Sequence, residues 1–258
     1  LPSWGVTFTA PNGTSLRVPF SRQEGIGVAP SAIMPRLRFD QLLFDHAAGT
    51  PGITALQATH LNDFQRTENG WLIHDSRRQL RIESRMVIAA DGVNSSMRER
   101  LFPGAAKPKF SGQSVYRIVV ERPPGLDGSR FFPLGDRVLG CSLVSATHMY
   151  MFLLLPMPGN PWIAPQDQPQ HLYDNMAGWG GFIPSIREQV LRSPIRETVN
   201  YRPLEPVLQP APWHKGRVLL IGDAAHATTP HMASGAGMAV EDGLVIAEEV
   251  RRGGDLPA

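Results

Sequence analysis

The alternation of apolar and polar positions sorts this chain into segments before any single residue is considered. "WGVTFTA" and "TSLRVPF", within residues 4–20, alternate as half-buried strands do, and Pro11-Asn12-Gly13 between them tolerates positive φ, so a hairpin is predicted. From residue 36 to residue 48 the period changes. Leu37, Gln41 and Phe44 fall on one side, and Phe39, Leu42, Leu43 and His46 on the adjoining side, which predicts a helix with an apolar face closed by Gly49. Three β-type runs follow, "TALQATHL", "WLIHDS" and "QLRIESRMVIAA", with Asn69-Gly70 turning the chain before Trp71; the last run ends on Asp91-Gly92. "NSSMRERLF" then reads as a short helix capped by Asn94 or Ser95.

The middle of the chain is β-rich: "SVYRIVVER", "SRFFPLG", "RVLGCSLVS" and "MYMFLLLP" predict a second sheet. A proline-rich loop leads into two helices over residues 170–192, broken at residues 178–181, and "TVNYRPLEPV" returns to extended structure. The most organised stretch closes the chain: "RVLLIGDAAHATTPHMASGAGMAVEDGLVIAEEV". Its residues 218–221 are continuously apolar, the pattern of a central parallel strand covered on both faces, and a helix follows, entered through Gly235-Ala236-Gly237. Met238, Leu244, Val245 and Val250 spread over one face of that helix.

Composition narrows the class. With 258 residues, 42% of them apolar, the chain is large enough for one large core or two modest ones. Its formal net charge of +2 comes from basic residues scattered among nearly as many carboxylates, so nucleic acid is not an expected partner. No apolar run approaches the ~20 residues of a membrane-spanning helix. The single cysteine, Cys141, has no internal disulfide partner, which fits a reducing cytoplasm and a buried, inert thiol.

The chemistry lies at two strand ends. A carboxylate at the carboxyl end of a parallel strand, as in Gly222-Asp223, can accept hydrogen bonds from sugar-like hydroxyls, while the glycine lets a ligand approach the backbone; a simple helix cap by Asp223 accounts for it equally well in isolation. The helix entrance at Gly235, Ala236 and Gly237 adds unpaired N–H groups and a positive dipole end suited to an anion or an electron-rich carbonyl. "MVIAADGVNS" repeats the logic with Asp91-Gly92, against the alternative of an Asp-Gly turn. Two such endings in one sheet suit one elongated polar ligand contacted twice, such as FAD. His226 and His231 are five apart with no carboxylate at ligand spacing, so no metal is expected. His226 reads as a structural residue bonded to backbone, and His231, beside Pro230, as a group near substrate or a proton relay. Arg117 and Tyr116 alternate faces on one strand, so at most one faces a substrate pocket, and Tyr150 reads as sheet core or pocket wall.

"VIAADGVNSSMR", followed by "VLLIGDAAHATTPHMASGAGMAVEDG", resembles the Asp-Gly and Gly-Asp motifs of the class A FAD-dependent monooxygenases, the p-hydroxybenzoate hydroxylase-like or salicylate hydroxylase-like family. The resemblance implies an α/β fold: a Rossmann-like FAD-binding domain with a β-rich substrate domain. Residues 1–30 would form a hairpin of the substrate domain, 31–112 the middle part of the FAD-binding domain, 113–205 the β-rich substrate domain, and 206–258 the return segment. It further implies FAD as cofactor, NAD(P)H as electron donor, and oxygen and a small aromatic molecule as substrates. Asp223, with Gly222 and Ala224, would contact the ribityl chain; the loop over residues 230–237, with Pro230 and His231, would line the flavin ring; Asp91 and Gly92 would lie near the pyrophosphate and the nicotinamide path. Arg36, with Arg38 as competitor, would contact FAD; Arg117 and Tyr150 are the substrate-side candidates on the strand pattern rather than on the resemblance. A homodimer is among the assemblies this leaves open. The family's opening βαβ unit with Gly-x-Gly-x-x-Gly has no counterpart here: "EGIGVAP" at residues 24–30 has Pro30 where the third glycine belongs. The FAD domain is therefore expected to be incomplete at the N-terminus, with that unit preceding Leu1. An isoprenoid-type FAD-dependent reductase and a catalytically incomplete FAD-binding fragment are the alternative readings.

Overall fold

The computed structural model describes residues 2–3, 5–10, 12–19, 31–32, 36–75 and 80–253. In chain order the strands are β1 (Pro2–Ser3), β2 (Gly5–Thr9), β3 (Ser15–Pro19), β4 (Ser31–Ala32), β5 (Asp63–Thr67), β6 (Gly70–Asp75), β7 (Leu80–Ser84), β8 (Val87–Ala89), β9 (Gln113–Glu121), β10 (Ser129–Leu134), β11 (Arg137–Leu143), β12 (His148–Pro156), β13 (Asn200–Pro203), β14 (His214–Lys215) and β15 (Val218–Leu220). The α-helices are α1 (Arg36–Ala48), α2 (Ser96–Leu101), α3 (Gln168–Asn175), α4 (Ile183–Val190), α5 (Asp223–His226) and α6 (Gly235–Arg252). They form two compact units, residues 1–53 with 112–204 and residues 54–111 with 205–258, so the chain divides at 53/54 where the sequence reading set its boundary at 30/31.

The first unit is built on a seven-stranded sheet in the order β13-β9-β12-β11-β10-β2-β3, antiparallel except where β10 meets β2. The predicted hairpin is β2–β3, with Gly13 at positive φ in its turn. Alternation along β9 sends Ser114, Tyr116, Ile118 and Val120 to a fully buried face and Arg117 and Val119 to the other. The buried face continues across the strands through Leu153 and Leu139 to Phe132. Helices α3 and α4 lie on that side: Tyr116 Oη is 2.8 Å from His171 Nδ1, and Trp179 Nε1 donates to the Phe132 carbonyl at 2.9 Å. Cys141 is buried there, and burial pushes its thiol up to about 11, which leaves it protonated and inert.

His171 makes this packing pH-sensitive. Its Nδ1 faces both the Tyr116 hydroxyl and the Asn175 amide, at 2.8 and 3.3 Å, so it acts as an acceptor and the ring is neutral. Burial holds its pKa below the ordinary histidine value, against an opposing pull from Asp174. The unfolded chain, titrating near ~6.5, then binds the proton first on acidification, so stability is complete above that pH and declines as pH falls through the lower folded value. Urea midpoints of the parent protein should therefore fall between about pH 7 and pH 5 more steeply than those of His171→Gln; equal slopes would exclude this role for His171.

The second unit holds two small sheets, β14-β15-β8 and β5-β6-β7. Two sequence expectations are corrected here. "TALQATHL" is irregular, and the strand that pairs with β6 is instead the polar segment β5, joined to it by the Asn69-Gly70 turn. The run "QLRIESRMVIAA" is two strands, because the chain bends over Ser84 to Met86, with Ser84 Oγ donating to the Met86 carbonyl at 2.5 Å, and carries β7 and β8 into different sheets. The apolar faces of α1 and α6 are open among the described residues: Leu37, Phe39, Leu42 and Leu43 on the first, and Val240, Leu244, Val245 and Val250 on the second, are all exposed. The segment "EGIGVAP" lies outside the described residues.

Candidate functional site

The two motif-bearing strands are neighbours. β8 and β15 run parallel, with Val87 opposite Val218 and Ala89 opposite Leu220, and the Ile221 N–H donates to the Ala89 carbonyl at 3.0 Å. Val218 and Leu220 are fully buried, which is why this run is continuously apolar. Asp91-Gly92 and Gly222-Asp223 consequently leave the sheet at the same edge, the carboxyl end where open α/β sheets bind ligands.

Asp91 does not present a free carboxylate there. Ser95 Oγ donates to its Oδ1 at 2.5 Å, the Met97 N–H to its Oδ2 at 3.0 Å, and Ser96 Oγ to the same oxygen at 3.3 Å, while Ser95 Oγ accepts the Arg98 N–H. Burial alone would raise the pKa of Asp91, but these bonds outweigh it and hold the carboxyl below the ordinary range. The carboxylate thus caps α2, with Ser95 as the N-cap, and its contribution to the strand end is to fix the loop. Gly92, at φ +85°, faces open space where a Cβ would stand, so a ligand has access to its backbone.

Arg98 was missed by sequence reasoning. It is buried and holds three carbonyls, Val93, Ala106 and Ala224, at 2.7, 2.9 and 2.9 Å, tying the Asp-Gly loop to α5. No local signal marked it: Arg98 and Arg100 lie equally far round the helix from Met97 and Leu101, on opposite sides, so spacing alone does not tell them apart.

At the second strand end Gly222 has φ +56° and ψ −141°, a conformation open essentially to glycine alone, and an added Cβ would stand 3.2 Å from the Ala239 Cβ. Asp223 is the first residue of α5 and exposed. The first N–H groups of that helix bond to backbone carbonyls, Ala224 to Ile221 and both Ala225 and His226 to Gly222, so the cap role considered for Asp223 is not the one it takes. Ala224 is fully buried and contributes its backbone.

His226 is corrected as well: its Nε2 lies 2.7 Å from the Asp242 carboxylate of α6 rather than on backbone. The same oxygen, Oδ2, accepts the Gly222 N–H at 2.8 Å, and the Trp213 ring lies 5.0 Å from the imidazole. One carboxylate oxygen therefore ties the strand end to α6. Pairing His226 with a residue sixteen positions on leaves no local trace in the sequence.

The loop between α5 and α6 carries Pro230, exposed, in a short 3₁₀ turn, and His231, whose Nδ1 is 2.9 Å from Thr229 Oγ1. α6 then begins at Gly235 with no side-chain cap from Ser234 and no acidic residue in its first turn. Gly235, Ala236 and Gly237 expose first-turn N–H groups, and a Cβ at Gly237 would meet nothing within 4 Å. An uncapped helix end, a glycine-only joint and an exposed carboxylate on one sheet edge fit the isoalloxazine and ribityl parts of FAD. Among the described residues no group of three or more His, Cys, Asp or Glu could hold a metal, and no helix is long and apolar enough to cross a membrane.

The first unit brings together Arg117 and Tyr150. On the half-open face of its sheet, a row runs from Arg117 through Phe152, Gly140 and Phe131 to Phe8. Phe8 stacks on Phe131 at 5.5 Å, Phe131 meets Phe152 edge-on at 5.8 Å, and Tyr150 lies 6.1 Å from Phe152. Gly140 permits this, since a Cβ there would stand 2.2 Å from the tip of the Phe152 ring. Burial raises the pKa of Tyr150, partly offset by the charge of Arg117 and its hydrogen bond. Tyr116 belongs to the buried face, so of the alternating pair Arg117 is the one on the open side. Arg36 opens α1 of this unit.

Comparison with known proteins places this arrangement. The family model described as an FAD binding domain matches residues 206–250. The chain is 34% identical over 173 residues to 6-hydroxynicotinate 3-monooxygenase of Bordetella bronchiseptica, covering 64% of this chain and 43% of that protein. It is 35% identical over 171 residues to 2-heptyl-3-hydroxy-4(1H)-quinolone synthase of Pseudomonas aeruginosa, covering 63% and 42%. It spans less than half of each of these curated relatives. In fold it is similar to Klebsiella pneumoniae HpxO, solved with FAD and uric acid, at a TM-score of 0.77 and 19% identity over 99% of this chain and 65% of that one. Strand ends, helix entrance and these likenesses agree: residues 206–250 match an FAD binding domain, and the chain is similar in sequence to aromatic-ring monooxygenases and in fold to an FAD-bound enzyme.

Proposed function

We propose that this chain contributes the ribityl- and ring-facing part of the FAD site, and the aromatic floor of the substrate site, of a monooxygenase that hydroxylates a small aromatic molecule with NAD(P)H and oxygen. The observation that carries this is the parallel pair β8–β15, ending side by side in Asp91-Gly92 and Gly222-Asp223. FAD, when bound, supplies the redox and oxygen-transfer chemistry. Asp223 accepts hydrogen bonds from ribityl hydroxyls, Gly222 and the Ala224 backbone shape the approach, and the N–H groups at Gly235, Ala236 and Gly237 favour negative charge at the ring's edge. Asp91 fixes the loop whose Gly92 backbone approaches the pyrophosphate. Arg36 is assigned a contact with FAD, Pro230 the wall of the ring pocket, and His231 a proton-relay role beside it.

Residues 54–111 and 205–258 form the FAD-binding part in this reading, and the seven-stranded sheet the substrate part. Its half-open row of Phe8, Phe131, Phe152 and Tyr150 offers faces and edges on which an aromatic ring can lie, and Arg117 a charge for a phenolate or carboxylate substituent. By name, one relative acts on 6-hydroxynicotinate, a hydroxylated ring carboxylate, and another makes a hydroxyquinolone. A cytoplasmic location, consistent with one buried thiol, and a homodimer complete the proposal. The test is NAD(P)H oxidation screened against phenols, benzoates and N-heteroaromatic acids, with product mass. A substrate that stimulates oxidation and gains one oxygen supports it; stimulated oxidation by every active compound without oxygen gain rejects hydroxylation.

A further inference from the structure

Within the second unit, a cavity of about 470 Å³ lies beside the amino end of β15, away from the Asp223 edge. Four cations line it, Arg66, Arg100, Lys215 and Arg217, against one carboxylate, Glu68, and Trp71 forms part of its wall. Between Arg217 and Asp223 stands the whole of β15, so at about 3.3 Å per residue the two sites are separated by roughly 15 Å or more. None of the four cations pairs with a carboxylate among the described residues.

Three of these cations are held in place by neutral groups. Lys215 Nζ donates to the Leu101 carbonyl at 3.2 Å and Arg217 Nη1 to the Asn69 carbonyl at 3.1 Å. The Arg100 guanidinium reaches the Asn62 carbonyl at 3.5 Å and lies 5.8 Å from the centre of the Phe64 ring. A carbonyl fixes a guanidinium or ammonium without neutralising it and leaves most of its donors available. Like charges gathered around a concave surface repel one another and focus a positive potential into it, and a multivalent anion relieves that repulsion. Arginine forks match phosphoryl oxygens in pairs. The volume falls in the range of small-molecule sites, about 300–1,000 Å³, and exceeds what a bare phosphate ion fills.

We propose that this cavity binds an organic phosphate carrying at least two negative charges, at a site separate from the flavin edge. Arg66 is the cleanest handle on it. It is exposed and its side chain forms no hydrogen bond or ion pair among the described residues, so reversing its charge leaves the sheet's pairing with Trp71 intact. The experiment titrates ADP, pyrophosphate and adenosine into the FAD-loaded protein, followed by calorimetry and by tryptophan fluorescence, with Trp71→Phe identifying the reporter among the five tryptophans.

ADP and pyrophosphate are expected to bind saturably, and adenosine not. Affinity should weaken as salt rises, fall at least tenfold in Arg66→Glu and in Arg217→Ala, and stay within about threefold in Arg66→Lys, where the charge is kept. Unchanged thermal unfolding of Arg66→Glu shows that any loss is not one of folding. Asp223→Ala should keep ADP binding even without flavin, so failure of the FAD assignment and failure of this site are read separately. Absence of saturable ADP and pyrophosphate binding, equal binding of adenosine, or equal ADP affinity in Arg66→Glu and the parent protein each overturns the proposal.

Discussion

An Asp223→Ala variant is expected to leave a desalting column colourless, whereas the parent protein loaded with FAD leaves it yellow. The carboxylate stands exposed on the carboxyl edge of β15, and none of the hydrogen bonds or ion pairs among the described residues uses it, since the α5 N–H groups are satisfied by Ile221 and Gly222 carbonyls. That leaves it available for the ligand contact proposed above. Hydrogen bonds to a charged group contribute about 1.5–3 kcal/mol each, and about 1.4 kcal/mol is a tenfold change in affinity. Loss of one ribityl contact thus weakens FAD binding roughly ten- to a hundredfold, and loss of two weakens it further. Because the side chain forms no hydrogen bond or ion pair among the described residues, unfolding of the flavin-free variant should match that of the flavin-free parent. Stoichiometric FAD retained through desalting would remove Asp223 from the site.

That strand end was legible because two independent signals coincide there. A continuous apolar run marks a strand covered on both faces, and glycine followed by a carboxylate marks where it stops. The same coincidence gave Asp91-Gly92, and the parallel register of β8 with β15 brings the two together. What the Asp91 side chain does was not legible. An Asp-Gly pair followed by two serines reads the same whether the carboxylate meets a ligand or caps the next helix, and only the positions of Ser95, Ser96 and Met97 decide.

Strand boundaries failed for a related reason. Period-two alternation cannot distinguish one long strand from two shorter ones in different sheets, as in β7 and β8, and it passes over a polar strand such as β5, whose residues are mostly exposed. The helix period of α1 and α6 was read correctly as helix, yet an apolar face says only that burial is favourable and not that a described neighbour supplies it. Arg117 and Tyr150 were placed by alternation alone; their company of Phe131 and Phe152 comes from strand order, which no local pattern contains.

The residue with the largest expected structural effect, Asp242, sits in the closing motif as an apparently ordinary helix carboxylate. Its Oδ2 accepts both the Gly222 N–H and His226 Nε2, and His226 is 5% exposed. Asp242→Ala leaves those two donors without an acceptor, at about 1–3 kcal/mol each, and frees the joint that carries Asp223 from the helix that presents Gly235 to Gly237. Both urea stability and FAD affinity should fall. Asp242→Asn separates geometry from charge. Among the described residues His226 Nδ1 is buried with no hydrogen-bond partner, while Nε2 faces the Asp242 carboxylate at 2.7 Å, an arrangement that suits an imidazole donating from Nε2. A neutral donor needs only an acceptor oxygen, which the asparagine amide provides. Asp242→Asn is therefore expected to keep most of the stability that Asp242→Ala loses, and ring ¹⁵N shifts of His226 should show the Nε2–H form in both the parent and the asparagine variant. Equal destabilisation by the two substitutions, with His226 doubly protonated in the parent, would instead make the contact an ion pair whose charge Asp242 must supply.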